Sequence, residues 1–264
     1  MTRDIPDDFT AVLPPTWIIT INNQSSQSQN YAIFSEVPLI DSSTKPDKVY
    51  NNVIAVADNV SAHSGLGVFE IRKQLQATCG RLVLSGGDNS TLFGEKSPNP
   101  PDVVSIVEVV DRCSITLGKT LADGTDSPGT KCVIQVTNNE TPTFKTPSLT
   151  GGKAGAFAVQ TGNDFTSQDA KSMHYFVGFG SSMNKDVGPF AIFVPAPVQT
   201  YQITPQAKFK ILVADLLPKA VLTDAQKAAA ALEIDFAKLG VDAVVVVHDD
   251  NNNLTIQKPG PDLG

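Results

Sequence analysis

Proton transfer is the first chemistry this sequence offers, because imidazole is the side chain best suited to it and the chain has three histidines, His63, His174 and His248. Three histidines also match the ligand count of a common catalytic zinc site. Here they are far apart, with no His-x-His pairing, which argues against a metal centre. His63 lies in Ser61-Ala62-His63-Ser64-Gly65, a run of small residues where an imidazole is expected to be exposed and mobile. His174 stands beside Tyr175 at the start of an apolar stretch that alternates poorly, so one of the pair is expected to face inward and to need a polar partner. His174 and His63 are therefore the candidate proton-transfer residues, with a hydrogen-bonded structural histidine as the competing reading. Tyr175 and Tyr201 are the candidate hydrogen-bond donors to a ligand. Trp17, the sole tryptophan, is either a stacking platform for a sugar or flat ligand or, in Thr16-Trp17-Ile18-Ile19-Thr20-Ile21, a core residue.

Carboxylates are the other source of acid and base. Glu70 in Val68-Phe69-Glu70-Ile71-Arg72 and Glu108 in Ile106-Val107-Glu108-Val109 alternate with apolar residues, which assigns both to the solvent face of a one-sided sheet. Joint acid/base work would require them to converge. Asp249-Asp250-Asn251-Asn252-Asn253 imitates the start of a calcium loop. Leu254 stands where that loop needs Gly, however, and Gly260 where it needs a bidentate Glu, so a hairpin tip is expected.

Cofactor signatures fail one by one. Gly65-Leu66-Gly67-Val68-Phe69-Glu70 and Gly178-Phe179-Gly180-Ser181-Ser182-Met183 both lack the third glycine of a dinucleotide fingerprint, and the first leads into a strand. Neither a phosphate loop nor a Gly-x-Ser-x-Gly elbow occurs. No cofactor and no metal are expected, which restricts any reaction to what side chains do alone. Cys79, Cys113 and Cys132 have neither framework nor zinc spacing and read as reduced, mostly buried thiols.

The elements that must carry these residues are short strands. Hydrophobic residues make up 41% of 264 and charged ones 18%, so the chain has core to spare and depends on Asn, Gln, Ser and Thr for its polar surface. β-Branched and aromatic runs separated by Gly, Pro, Asn and Asp clusters predict strands at Thr16–Ile21, Asn30–Ser35, Val49–Val56, Gly67–Arg72, Leu75–Cys79, Val103–Val110 and Ser114–Leu117. The pattern continues at Cys132–Thr137, Ala154–Gln160, Met173–Gly180, Phe190–Val194, Thr200–Thr204, Lys208–Asp215 and a closing hairpin of Val241–His248 with Leu254–Gln257. Pro205 is expected to interrupt a strand at an edge or bulge. One helix, Ala225–Leu232, capped by Thr223 or Asp224, is expected to dock as a lid or connector.

These elements predict an all-β antiparallel sandwich with one short helix near the C-terminus: an arm at 1–15, a single domain at 16–258 and a tail at 259–264. Trp17–Pro38 and Met173–Pro195 echo each other through Tyr31-Ala32-Ile33-Phe34 and Phe190-Ala191-Ile192-Phe193, which leaves open two similar halves or mere strand-turn grammar. Net charge is −7, with scattered Lys and Arg, which argues against nucleic acid or anionic lipid as partners. The N-terminal residues lack a signal or transit pattern and no stretch is long enough to span a membrane, so a cytoplasmic location is expected. Asn-x-Ser/Thr sequons at Asn23, Asn59, Asn89, Asn139 and Asn253 then read as turn chemistry.

The phrases Trp17-Ile18-Ile19-Thr20-Ile21-Asn22-Asn23, Gln29-Asn30-Tyr31-Ala32-Ile33-Phe34, Tyr201-Gln202-Ile203-Thr204-Pro205 with Lys208-Phe209, and Asn252-Asn253-Leu254-Thr255 resemble a group of uncharacterised fungal all-β proteins. The resemblance is spread over much of the chain, is least between Lys45 and Gly152, and implies fold and a fungal source without carrying any functional residue.

Two functions are expected from these features. One is a small-molecule-binding sandwich, which as an enzyme would be a cofactor-independent isomerase, cyclase or dehydratase using His174 or His63. The other is a carbohydrate-binding or self-associating module, which as a homo-oligomer would present the Asn-rich loops near Asn23, Asn89 and Asn252.

Overall fold

The computed structural model describes residues 15–84, 104–137, 141–181, 188–229 and 232–257. The expected arm and tail, apart from Pro15, and the loop around Asn89 lie outside the described residues.

Four larger sheets, mostly antiparallel, make the all-β sandwich-like fold predicted from the strand pattern. The first has strand order Leu254–Gln257, Ala243–His248, Thr16–Asn23, Gly65–Arg72. The second runs Leu232–Asp235, Lys208–Val213, Gln29–Ser35, Ala55–Val60. The third, of five strands, runs Val49–Asn51, Ala191–Phe193, Tyr175–Ser181, Leu75–Leu84, Ser105–Ser114. The fourth runs Thr143–Phe144, Gly129–Gln135, Phe157–Gln160, Thr200–Thr204, Leu39–Asp41, with Leu149–Gly152 also on Gly129–Gln135. Lys119–Thr120 and Asp126–Ser127 form a small ribbon. Among the described strands two pairings are parallel: Thr16–Asn23 with Ala243–His248, and Gly129–Gln135 with Phe157–Gln160.

Alternation fixes which side chains enter the core. Ile19 and Ile21, Phe69 and Ile71, and Val244 and Val246 are buried on one face of the first sheet, while their neighbours Val68, Glu70 and Val245 are exposed. One continuous apolar cluster draws on all four larger sheets. Aromatic rings cross it in sequence: Phe157 to Phe179 at 6.0 Å, Phe179 to Phe190 at 5.6 Å, Phe190 to Phe209 at 5.7 Å, and Phe209 to Trp17 at 5.4 Å. These are edge-on or tilted contacts, the arrangement the ring quadrupole favours.

Several boundaries differ from expectation for identifiable reasons. Val49–Val56 is two strands in two sheets. Between them Val53 N–H donates to Ala220 O and Ile54 N–H to Ile33 O, so this buried run passes from one sheet to another with its amides satisfied. Ser105–Ser114 continues through the polar Asp111-Arg112, which looked like a break, because the ladder shifts register by a bulge at Cys79/Gly80. Gly80 is required there, since a Cβ would collide with the Glu108 carbonyl. Pro205 separates Thr200–Thr204 from Lys208–Val213, which belong to different sheets, so it ends a strand instead of interrupting one.

The late helix spans Asp224–Ala228 with Thr223 as its cap in a Thr223/Gln226 capping box; Leu232 starts a strand instead of ending the helix. Two further short helices, Ser167–Ser172 and Phe236–Leu239, were not expected. The echoing phrases are used differently. Thr16–Asn23 and Gln29–Ser35 go to separate sheets, whereas Tyr175–Ser181 and Ala191–Phe193 pair as neighbours.

Candidate functional site

A cleft of about 320 Å3 opens where three elements meet: the loop of residues 44–48, helix Ser167–Ser172, and the turn after Ala191–Phe193. Its lining includes Lys45, Asp47, Lys48, Tyr50, Lys171 and Tyr201, with Val194, Pro195 and Ala196 as an apolar wall.

Tyr201 is placed by its strand and held by its neighbours. In Thr200–Thr204, Tyr201 and Ile203 face inward by alternation, and the Tyr201 ring packs on Phe193 at 4.8 Å. The Tyr201 hydroxyl accepts the Ala196 N–H at 2.8 Å. Ala196 is held from its other side, where its carbonyl accepts from Thr161 Oγ1 at 2.8 Å. Burial pushes the Tyr201 phenol up, partly offset by the Ala196 amide, so the hydroxyl keeps its proton at neutral pH. Among the described residues nothing accepts that proton. The hydroxyl therefore has a donor to spend.

Around it the charge is positive. Lys45, Lys48 and Lys171 line the cleft against one carboxylate, Asp47, a local reversal of the chain's net −7. The ammonium groups are partly engaged: Lys171 sits 3.7 Å from Asp47, and Lys48 sits 3.5 Å from Asp224 and 5.3 Å over the Tyr50 ring. All are solvent-accessible pairs, so they exchange readily for an incoming anion. Burial raises the Tyr50 phenol, and the carboxylates of Asp47 and Asp224 raise it further. Tyr50 therefore stays neutral beneath the Lys48 ammonium.

The other candidates from the sequence fall elsewhere. Tyr175 is buried one layer beneath, with Phe165 at 6.1 Å edge-on, and packs with Ala170 and with Val194 of the cleft wall. His174 follows the helix with left-handed φ of 56°; its carbonyl accepts from Leu82 N–H at 3.0 Å. His63 is exposed in the turn before Gly65–Arg72, at φ 64°, with its N–H on Ser25 O. The two histidines thus occupy loops of different sheets, and neither lines the cleft. Trp17 is half-buried against Phe209 and Phe236, with the Lys73 ammonium 5.6 Å over its ring. Glu70 and Glu108 are exposed on different sheets, Glu108 beside Arg81 at 3.6 Å. Among the described residues no group of three or more His, Cys, Asp or Glu is placed to hold a metal ion. Among them, too, no helix is long and apolar enough to cross a membrane.

The histidine passed over in the sequence is the one the fold uses most. His248 is fully buried; its Nδ1 lies 2.7 Å from the Tyr31 hydroxyl and its Nε2 lies 2.8 Å from Asn252 Oδ1. An amide oxygen only accepts, so Nε2 carries a proton, and Nδ1 shares the other hydrogen bond with the Tyr31 hydroxyl. Alternation was the available signal: Val244, Val246 and His248 share the inward face of one strand. Asn252 reaches back from a hairpin tip at φ 62°, where Asp249 Oδ1 accepts the N–H groups of Asn251 and Asn253 at 2.9 Å. The expected tip of residues that tolerate positive φ is therefore present.

Of the Asn-rich loops, the one at Asn23 turns inward, whereas Asn251, Asn252 and Asn253 are exposed. Asn23 is fully buried, giving Nδ2–H to Gln27 O, Val60 O and Ser61 O and accepting Ser25 N–H and Oγ–H. The Asn23 amide thus ties its own loop to residues 60 and 61.

No family model, no curated protein and no solved structure matches the chain.

Proposed function

We propose that this chain is a small-molecule-binding β-sandwich protein whose cleft at Tyr201 takes a small anion carrying an apolar or flat body. The observation that carries this reading is the Tyr201 hydroxyl. It is fixed by the Ala196 amide, retains its own proton to donate, and sits on a wall shared with Lys45, Lys48 and Lys171. A charge-assisted hydrogen bond from lysine is among the stronger contacts a carboxylate or phosphate can gain. Tyr50, Pro46, Val194 and Pro195 provide surface for the rest of the ligand. Because His63 and His174 lie outside this cleft, the reading is one of binding and includes no turnover.

The test is calorimetric titration at low salt with benzoate and inorganic phosphate, and with benzyl alcohol as the uncharged analogue. Saturable binding of benzoate or phosphate that Tyr201→Phe and Lys171→Gln each weaken about tenfold supports the proposal. Equal binding of benzyl alcohol, or anion binding indifferent to both substitutions, overturns it.

A further inference from the structure

Cys113 and Cys132 belong to different sheets, yet their sulfurs approach to 2.7 Å. A covalent S–S bond is about 2.0 Å, so little movement separates contact from a bond. Both thiols are free, Cys132 fully buried and Cys113 half-buried.

The approach is held from two sides. Thr116 N–H donates to Thr130 Oγ1 at 2.9 Å, Thr130 N–H donates to Thr116 O at 2.9 Å, and the two hydroxyls lie 3.0 Å apart. On the other side Asp111 Oδ2 accepts the Phe144 N–H at 2.8 Å, and Phe144 pairs with Ile134 of the Cys132 strand. Cys79 lies nearby but its S–H is directed to Pro142 O at 3.2 Å.

We propose that Cys113 and Cys132 are a reversible disulfide site, closed by exchange with a low-molecular-weight disulfide such as oxidised glutathione. The exposed flank belongs to Cys113, so its thiolate attacks first. One glutathione S–S bond breaks, a Cys113–glutathione disulfide forms and one glutathione thiolate leaves. Cys132 then gives up its proton and attacks the Cys113 sulfur, expelling the second glutathione thiolate. Two electrons pass from the two cysteines to one glutathione disulfide, and the two thiol protons end on the two reduced glutathiones or in solvent. Burial, and then the Cys113 contact, push the Cys132 thiol well up, so the second step is the slow one and speeds up as pH rises. The closed bond ties Ser105–Ser114, the edge strand of the five-stranded sheet, to the sheet that contains Gly129–Gln135.

The experiment incubates the folded full chain with oxidised glutathione, blocks residual thiols with iodoacetamide and digests with trypsin without reduction. Cleavage after Lys73, Arg112 and Lys131 places the three cysteines on three separate peptides, 74–81, 113–119 and 132–145. A linked 113–119/132–145 pair that reduction dissolves, with Cys79 left alkylated, supports the proposal. So do undiminished closure in Cys79→Ser and a glutathione adduct trapped on Cys113 in Cys132→Ala. A stable glutathione adduct on Cys113 of the unsubstituted chain, a bond to Cys79, or three alkylated cysteines overturns it. Circular dichroism matching the unsubstituted chain confirms that each variant is folded when assayed.

Discussion

The Tyr31 hydroxyl and His248 Nδ1 are hydrogen-bonded at 2.7 Å with both side chains fully buried, joining two sheets whose strands share no hydrogen-bonded ladder. Tyr31 comes from the sheet of Gln29–Ser35 and His248 from that of Ala243–His248. Tyr31→Phe leaves a buried nitrogen without its partner and is expected to cost about 1–3 kcal/mol, read as a lowered urea midpoint at unchanged slope. Pairing Tyr31→Phe with His248→Leu is expected to cost less than the two single changes added together, since the second removes the stranded nitrogen. Strict additivity in that double-mutant cycle would show that the contact has no energetic weight.

High pH attacks the same contact. Burial pushes the Tyr31 phenol up to about 12. An unfolded tyrosine ionises near 10, so the raised folded value stabilises fully below pH 10 and is lost as pH rises from there towards 12. Two pH units of difference correspond to roughly 2–3 kcal/mol. Urea midpoints measured from pH 8 to 12 should fall over that window, and Tyr31→Phe should flatten part of the fall. The phenols of half-buried Tyr50 and of buried Tyr175 and Tyr201, raised for the same first cause, contribute the remainder.

Phe209 is the crossing point of the aromatic series, touching Trp17, Phe190 and Phe236. Phe209→Ala is expected to cost about 3–5 kcal/mol and to shift the emission of the single tryptophan to longer wavelength as water reaches its ring. A midpoint within error of the unsubstituted protein would mean that the neighbouring rings close the gap unaided.

In the cleft, Asp47 competes with any anion for Lys171. Asp47→Asn is expected to tighten benzoate or phosphate binding about threefold and to steepen its salt dependence. Weaker binding in this variant would indicate that the carboxylate orients the lysine.

Most strands were legible because their signal is local. Thr200–Thr204 and Leu254–Gln257 fall where β-branched runs and flanking turn residues place them. Tyr201 was singled out in the sequence for its hydroxyl, but the cleft it lines was not legible, because the other walls come from residues 44–50 and from a helix beginning at Ser167. That helix had a readable cap, Thr166-Ser167-Gln168-Asp169, whose capping box forms, yet six residues are too few for a periodic pattern to emerge. The approach of Cys113 to Cys132 was illegible for a different reason. Two strands of different sheets meet there, and no spacing along the chain encodes which sheets will face each other.

The parallel pairing of Thr16–Asn23 with Ala243–His248 sets a timetable for synthesis. A ribosome adding about 5–20 residues per second leaves the first strand waiting roughly 10–45 s for its neighbour. Throughout that interval Gly65–Arg72 is the one ladder partner of the Ile19 and Ile21 strand, and its other backbone edge stands open. Nascent chains on the same messenger can meet at that edge, so dilution and chaperone supply during expression should govern yield more than the finished protein's stability does.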